Sequence, residues 1–163
     1  MIIKKYNSIK KIEEIYDELY NSLPKKHAFQ SLSFLKQTDT LYYKLRWRSS
    51  VSYYVVFEQD KPILIAGFRK YNKDTVILLG SRAGYDYCDI IWSNENVFED
   101  GIKLVFAELK RSKIKNIIWK FWEVDSYSFT TIKKLVNVVE INEVKNTRIN
   151  IGKIPLTNAE LIK

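Results

Sequence analysis

The apolar residues of this sequence change their spacing along the chain, from helical to alternating and back, and that succession restricts the architecture more than any single motif does. Ile2, Ile3 and Tyr6 suit a short opening strand. Ser8 is then placed as the N-cap of a helix carrying Ile12, Ile15, Tyr16, Leu19 and Leu23 on one face, with Pro24 as its stop. A second short helix is expected near Ser31 to Thr38, with Phe34 and Leu35 inward. The segment from Leu41 to Ser50 mixes aromatics with Lys44, Arg46 and Arg48 and carries no assignable period.

From Val51 the period becomes two. Val51 to Phe57 is rich in β-branched and aromatic residues and runs into a turn at Gln59–Pro62, after which Ile63 to Tyr71 makes the return strand. Asn72–Asp74 turns the chain again, and Thr75 to Leu79, apolar on consecutive positions, is expected to be buried on both faces. Helical spacing resumes at Phe98, Ile102, Val105, Phe106 and Leu109. Asn96 and Glu99 fit a capping box for that helix, with Glu99 and Asp100 in its first turn and Lys110, Arg111 and Lys113 at its end, as the helix dipole favours. Asn116 to Trp122 alternates as a strand, and Ser126 caps a helix to about Val136 with Phe129, Ile132 and Leu135 or Val136 inward. Val138–Val144 and Thr147–Ile151 close the chain as a hairpin turning at Lys145–Asn146. The order predicts one α/β (α+β) domain over residues 1–163, with a mixed, mostly antiparallel central sheet flanked by about four helices.

Composition narrows the function classes. Four Trp, eleven Tyr and eight Phe in 163 residues argue for a folded chain, because disordered sequences lack large side chains that offset ordering entropy. No run approaches the length of a membrane helix, and Met1 to Tyr6 has no signal-peptide pattern, so a cytoplasmic protein is expected. The net charge of +8 is carried by scattered pairs such as Lys4-Lys5, Lys10-Lys11, Lys25-Lys26 and Lys133-Lys134, which argues against a nucleic-acid surface. One cysteine, Cys88, and one histidine, His27, far apart in sequence, predict no metal site and no activated thiol, and His27 suits a solvated loop better than a general base.

The stretch from Gly80 to Trp92 is the candidate site loop. Gly80 and Gly84 permit close backbone approaches, and Tyr85, Asp86, Tyr87 and Asp89 can read a polar ligand; alternatively the glycines serve a turn, the rings pack and the acids face water. Asp86, Asp89 and Glu123 are the candidate proton acceptors, with Asp125 beside the last of them. Trp122 lies where a strand end would line a pocket, although alternation alone also explains its ring as core.

The order of elements resembles the GNAT superfamily of N-acetyltransferases over essentially the whole chain. Three stretches are similar to the first half of the tandem-GNAT, cellulose-biosynthesis type: Phe29-Gln-Ser-Leu-Ser-Phe-Leu35, the pattern Gly80, Asp86, Tyr87, Asp89, and the closing Ile151-Gly-Lys-Ile-Pro-Leu156. The resemblance implies an acyl-CoA-dependent N- or O-acyltransferase in which a turn of the form Gln/Arg-x-x-Gly-x-Gly/Ala holds acetyl coenzyme A by backbone amides at a helix N-terminus. Arg82-Ala-Gly84-Tyr85-Asp86 does not supply that turn, Asp86 and Asp89 would repel a pyrophosphate, and Glu99 and Asp100 would use the helix end internally. The expectation is therefore a first domain of a tandem pair, inactive alone, with no cofactor-binding residues of its own. Acetyl-CoA or another acyl-CoA would sit in the partner domain, while Tyr85, Asp86, Tyr87, Asp89 and Trp122 contact a polar small-molecule or saccharide acceptor. Docking to a second GNAT domain or self-association is expected. The alternative is a non-catalytic saccharide-, peptide- or protein-binding module of the same fold.

Overall fold

The computed structural model describes residues 1–23, 26–37, 50–79, 89–119 and 126–136. Six strands form one sheet: β1 (Ile2–Tyr6), β2 (Val51–Glu58), β3 (Lys61–Lys70), β4 (Thr75–Leu78), β5 (Ile91–Trp92) and β6 (Asn116–Ile118). The helices are α1 (Glu13–Ser22), α2 (residues 32–37), α3 (Glu95–Arg111) and α4 (Tyr127–Leu135). Strand order is β1-β2-β3-β4-β6, with β5 paired to β3. All pairings are antiparallel except β4 with β6. This is the mixed, mostly antiparallel α/β sheet that the element order predicted.

The β2–β3 hairpin turns at Gln59 and Asp60, both at positive φ (48° and 63°), a backbone whose twist suits adjoining antiparallel strands. β3 is the spine of the sheet, and its alternating side chains feed two cores. Leu64, Ala66 and Phe68 join Tyr54, Val56 and Leu78 under α3, where Phe98, Ile102, Val105 and Leu109 descend. Tyr53, Val55, Phe57, Ile65 and Ile91 face the other way and pack on Ile9, Ile12, Tyr16 and Leu19 around α1. Leu35 of α2 joins that second layer. Each fully buried Leu, Ile or Phe contributes roughly 1.5–3 kcal/mol of transfer free energy, so the two layers supply most of the driving force.

Several boundaries differ from the sequence reading. Ser8 caps a 3₁₀ turn, Ile9–Lys11, through its hydroxyl and the Lys10 amide, and α1 itself starts at Glu13. The cause is Ile9, which is buried and pulls that turn onto the sheet. Asn94, not Asn96, caps α3: its Oδ1 accepts the Asn96 N–H at 3.1 Å. Glu99 and Asp100 consequently stand in the second turn, where both meet Lys103 Nζ, at 2.6 and 3.6 Å. Only Glu95 is an acid in the first turn. Val136 is exposed beyond the end of α4, whose buried side chains are Ser128, Thr131 and Ile132. The predicted strands Val138–Val144 and Thr147–Ile151, and the extension of β6 to Trp122, lie outside the described residues.

Candidate functional site

β4 and β5 run along the same side of β3, as one strand position that the chain interrupts. Phe68 pairs with Leu78 and Ile65 pairs with Ile91, so three steps along β3 correspond to thirteen along its partner. Ten residues more than a continuous strand requires are inserted between β4 and β5, and they include the glycine-, tyrosine- and aspartate-bearing loop. The last part of the predicted loop, Ile91–Trp92, is strand rather than loop.

Both ends of the insertion are fixed. At the departure, Leu79 N–H donates to the Gly67 carbonyl at 2.9 Å. A Cβ on Gly67 would lie 2.7 Å from Leu79 Cδ1 and 3.1 Å from Tyr53 Cε1, so the glycine is required for the close approach at this point. At the return, Asp89 Oδ1 accepts the Ile90 N–H at 2.7 Å, and Asp89 Oδ2 accepts the Ser128 hydroxyl at 2.5 Å. Ser128 is wholly buried in the first turn of α4. On the opposite layer Gln30, only 7 % exposed, directs its Nε2 to the Ile90 carbonyl at 3.5 Å, and its own carbonyl accepts the Tyr16 hydroxyl at 2.7 Å. Ser93 N–H donates to Ile63 O at 2.9 Å and closes the ladder beyond β5.

The insertion departs at the carboxyl end of β4, which pairs in parallel with β6 through Thr75–Asn116, Val76–Ile117 and Ile77–Ile118, and it returns at Asp89 beside Ser128 of α4. Two helix N-termini converge there. Asn94 caps α3, Ser126 Oγ caps α4 by accepting the Phe129 N–H at 3.2 Å, and Tyr127 OH donates to Glu95 O at 3.1 Å. The Phe98 ring joins them, 4.7 Å from Trp92 and 5.8 Å, edge-on, from Tyr127 between centroids. The joint between β5 and α3 is two residues long, Ser93 and Asn94, and contains no glycine.

Of the sequence-derived candidates, Asp89 is in this region with both carboxylate oxygens engaged. Tyr85, Asp86, Tyr87, Trp122 and Glu123 lie outside the described residues, as do Cys88 and Asp125. Among the described residues no group of three His, Cys, Asp or Glu could hold a metal ion. Gln30 and Ser128 were not found by sequence reasoning. Their partners are sixty and thirty-nine residues away, and no local pattern announces such pairs. The one available signal was a polar residue at a position where helical spacing asks for a buried one.

No family model and no curated protein matches this sequence. Solved acetyltransferases align to the fold at low identity. The aminoglycoside 6'-N-acetyltransferase from Enterococcus faecium does so at 12% identity and a TM-score of 0.44, over 73% of this chain and 61% of that one, less than two thirds of its length. A predicted acetyltransferase from Clostridium acetobutylicum, crystallised with acetyl-CoA, aligns at 12% and 0.47, over 87% of this chain and 92% of that one. For glucosamine-6-phosphate N-acetyltransferase from Arabidopsis thaliana the values are 8% and 0.45, over 90% and 99%. Such likeness carries no argument about substrate or activity, which must come from the site.

Proposed function

We propose that this chain is a GNAT-like domain of an acyl-CoA-dependent N- or O-acyltransferase that contributes acceptor-binding surface, with the acyl cofactor held by a second such domain. The reaction class rests on the resemblance of the element order in the sequence to the GNAT superfamily. The division of labour is supported by the β5–α3 joint. A pyrophosphate at a helix N-terminus needs unsatisfied amides and a backbone free to approach it, which glycines supply. Here Asn94 Oδ1 occupies the Asn96 amide, and Glu95 adds an acid to the same turn. Glu99 and Asp100 stand one turn further on and pair with Lys103, away from the helix end.

In this reading Asp89 is a clamp for the inserted loop: its two oxygens hold the Ile90 amide and the Ser128 hydroxyl. Contact with a polar acceptor then falls to Tyr85, Asp86 and Tyr87 of that loop. The test is a thermal-shift titration with acetyl-CoA against unrelated nucleotides. The reading predicts no specific shift. Occupancy at 100 times the dissociation constant would add about 2.7 kcal/mol, on the order of 5–10 °C for a domain of this size. A shift of that kind would make this chain a cofactor-binding transferase in its own right.

A further inference from the structure

At the other end of α3 the sheet has an open corner. Its floor is apolar: Tyr54 of β2, Phe68 of β3 and Val76 of β4, closed by Leu109 and Ile114 as α3 ends. Its rim is not. Lys5, Lys70, Ser50, Ser52 and Ser112 surround a recess of about 120 Å³. On the helix-facing side of β2 the apolar row Val56, Tyr54 gives way to Ser52, and on β3 the row Leu64, Ala66, Phe68 ends in Lys70. The Lys70 amide donates to Ser50 O at 3.1 Å, which holds the two rims together by backbone.

We propose that this corner binds a tetrahedral oxyanion group, the phosphate of a small ligand. Two ammonium groups from different strands and three hydroxyls give donors on several sides, which suits a phosphate; a planar carboxylate is satisfied by fewer. Lys5 Nζ stands 5.5 Å from the Tyr54 ring centroid, placed over the floor. Among the described residues neither Lys5 nor Lys70 has a carboxylate in ion-pair range. The nearby acids are already engaged, Asp74 by the Thr75 hydroxyl at 3.1 Å and Glu108 by Arg111 at 3.0 Å.

The C-terminal end of a helix dipole opposes an anion, and α3 ends here. That opposition is reduced, because the Glu108, Leu109 and Lys110 carbonyls accept the amides of Ser112, Ile114 and Lys113. Lys110 and Arg111 occupy the last turn, and Lys113 and Lys115 flank the lining residue Ile114. Folding thus gathers at one end of α3 a positive charge that looks dispersed in the sequence. The proposal is independent of the acyltransferase reading.

The test is an amide-resolved NMR titration of the full chain with inorganic phosphate at constant ionic strength, with chloride as control. Saturable shifts confined to Ser50, Ser52, Lys70, Ser112 and their neighbours are expected. The double variant Lys5→Gln/Lys70→Gln should weaken binding about tenfold, since each lost ammonium removes a charge-assisted contact. Lys10→Gln/Lys11→Gln, the same change in net charge elsewhere, should leave it unaltered. Phenyl phosphate arms distinguish the source: tighter binding than phosphate means an ester lying on the apolar floor, equal or weaker binding the free anion. Non-saturating shifts, shifts spread over lysines at large, or equal weakening in the two double variants would overturn the proposal.

Discussion

Gly67 has ordinary backbone angles, and its lack of a side chain acts through space. With Leu79 Cδ1 at 2.7 Å from the position of a Cβ and the Tyr53 ring at 3.1 Å, Gly67→Ala must push those two buried side chains aside. Overpacking of this kind costs about 1–3 kcal/mol, readable in a urea unfolding curve. The opposite sign is expected at Lys113, which sits at φ 60° just beyond α3. Lys113→Gly should raise stability by about 0.5–1 kcal/mol, because glycine adopts that left-handed conformation without steric cost. Ser128→Ala should lower it by about 1–3 kcal/mol, since the partner it abandons is a charged carboxylate. None of these residues stands out in the sequence. Asp89 was legible as a polar residue beside glycines, but its engagement by a serine on a helix thirty-nine residues later depends on the docking of α4.

Elements were more legible than their ends. The helical spacing that gave α3 places Phe98, Ile102, Val105 and Leu109 in the core, but spacing does not fix the start of the helix, which the capping-box pattern put at Asn96. The sheet decides. Trp92 pairs with Leu64 and Ser93 N–H bonds Ile63 O, so the strand extends to the residue before Asn94, and Asn94 must cap. Asn94→Ala should therefore cost about 0.5–2 kcal/mol in unfolding free energy, whereas Asn96→Ala should cost a few tenths at most. The same shift of frame turns Glu99 from a cap into half of an ion pair. The hydrogen bond from Lys103, reinforced by its charge, holds the Glu99 carboxyl below its ordinary value, and that bond in turn raises the Lys103 ammonium. A depressed carboxyl contributes above its unfolded-state value and loses that contribution as the pH falls through the folded one. A double-mutant cycle on Glu99 and Lys103 should show coupling at neutral pH that disappears in acid and shrinks with added salt.

At the scale of the molecule, the alternation of periods was sufficient for the sheet. The antiparallel meander β2–β3–β4, the crossover through α3 and the return in β6 follow from apolar spacing, because each spacing allows one way of burying its face. The return to strand at β5, after the loop, was invisible for the same reason. A two-residue strand has no period, and Ile91–Trp92 is strand only because β3 offers it an unpaired ladder. Lys5 and Lys70, far apart along the chain, come to line one recess with Ser112 and Ile114 at the end of α3 when the sheet forms.

The proposal that the start of α3 is not a cofactor cradle rests on Asn94 Oδ1, which accepts the Asn96 N–H. It is tested most directly by following the Asn96 amide in an NMR titration of the full chain with acetyl-CoA. The account predicts that the amides of Asn94, Glu95, Asn96 and Val97 show no saturable change. A saturable shift centred on Asn96, with Asn94→Ala altering the affinity, would contradict it and place the acyl cofactor on this domain.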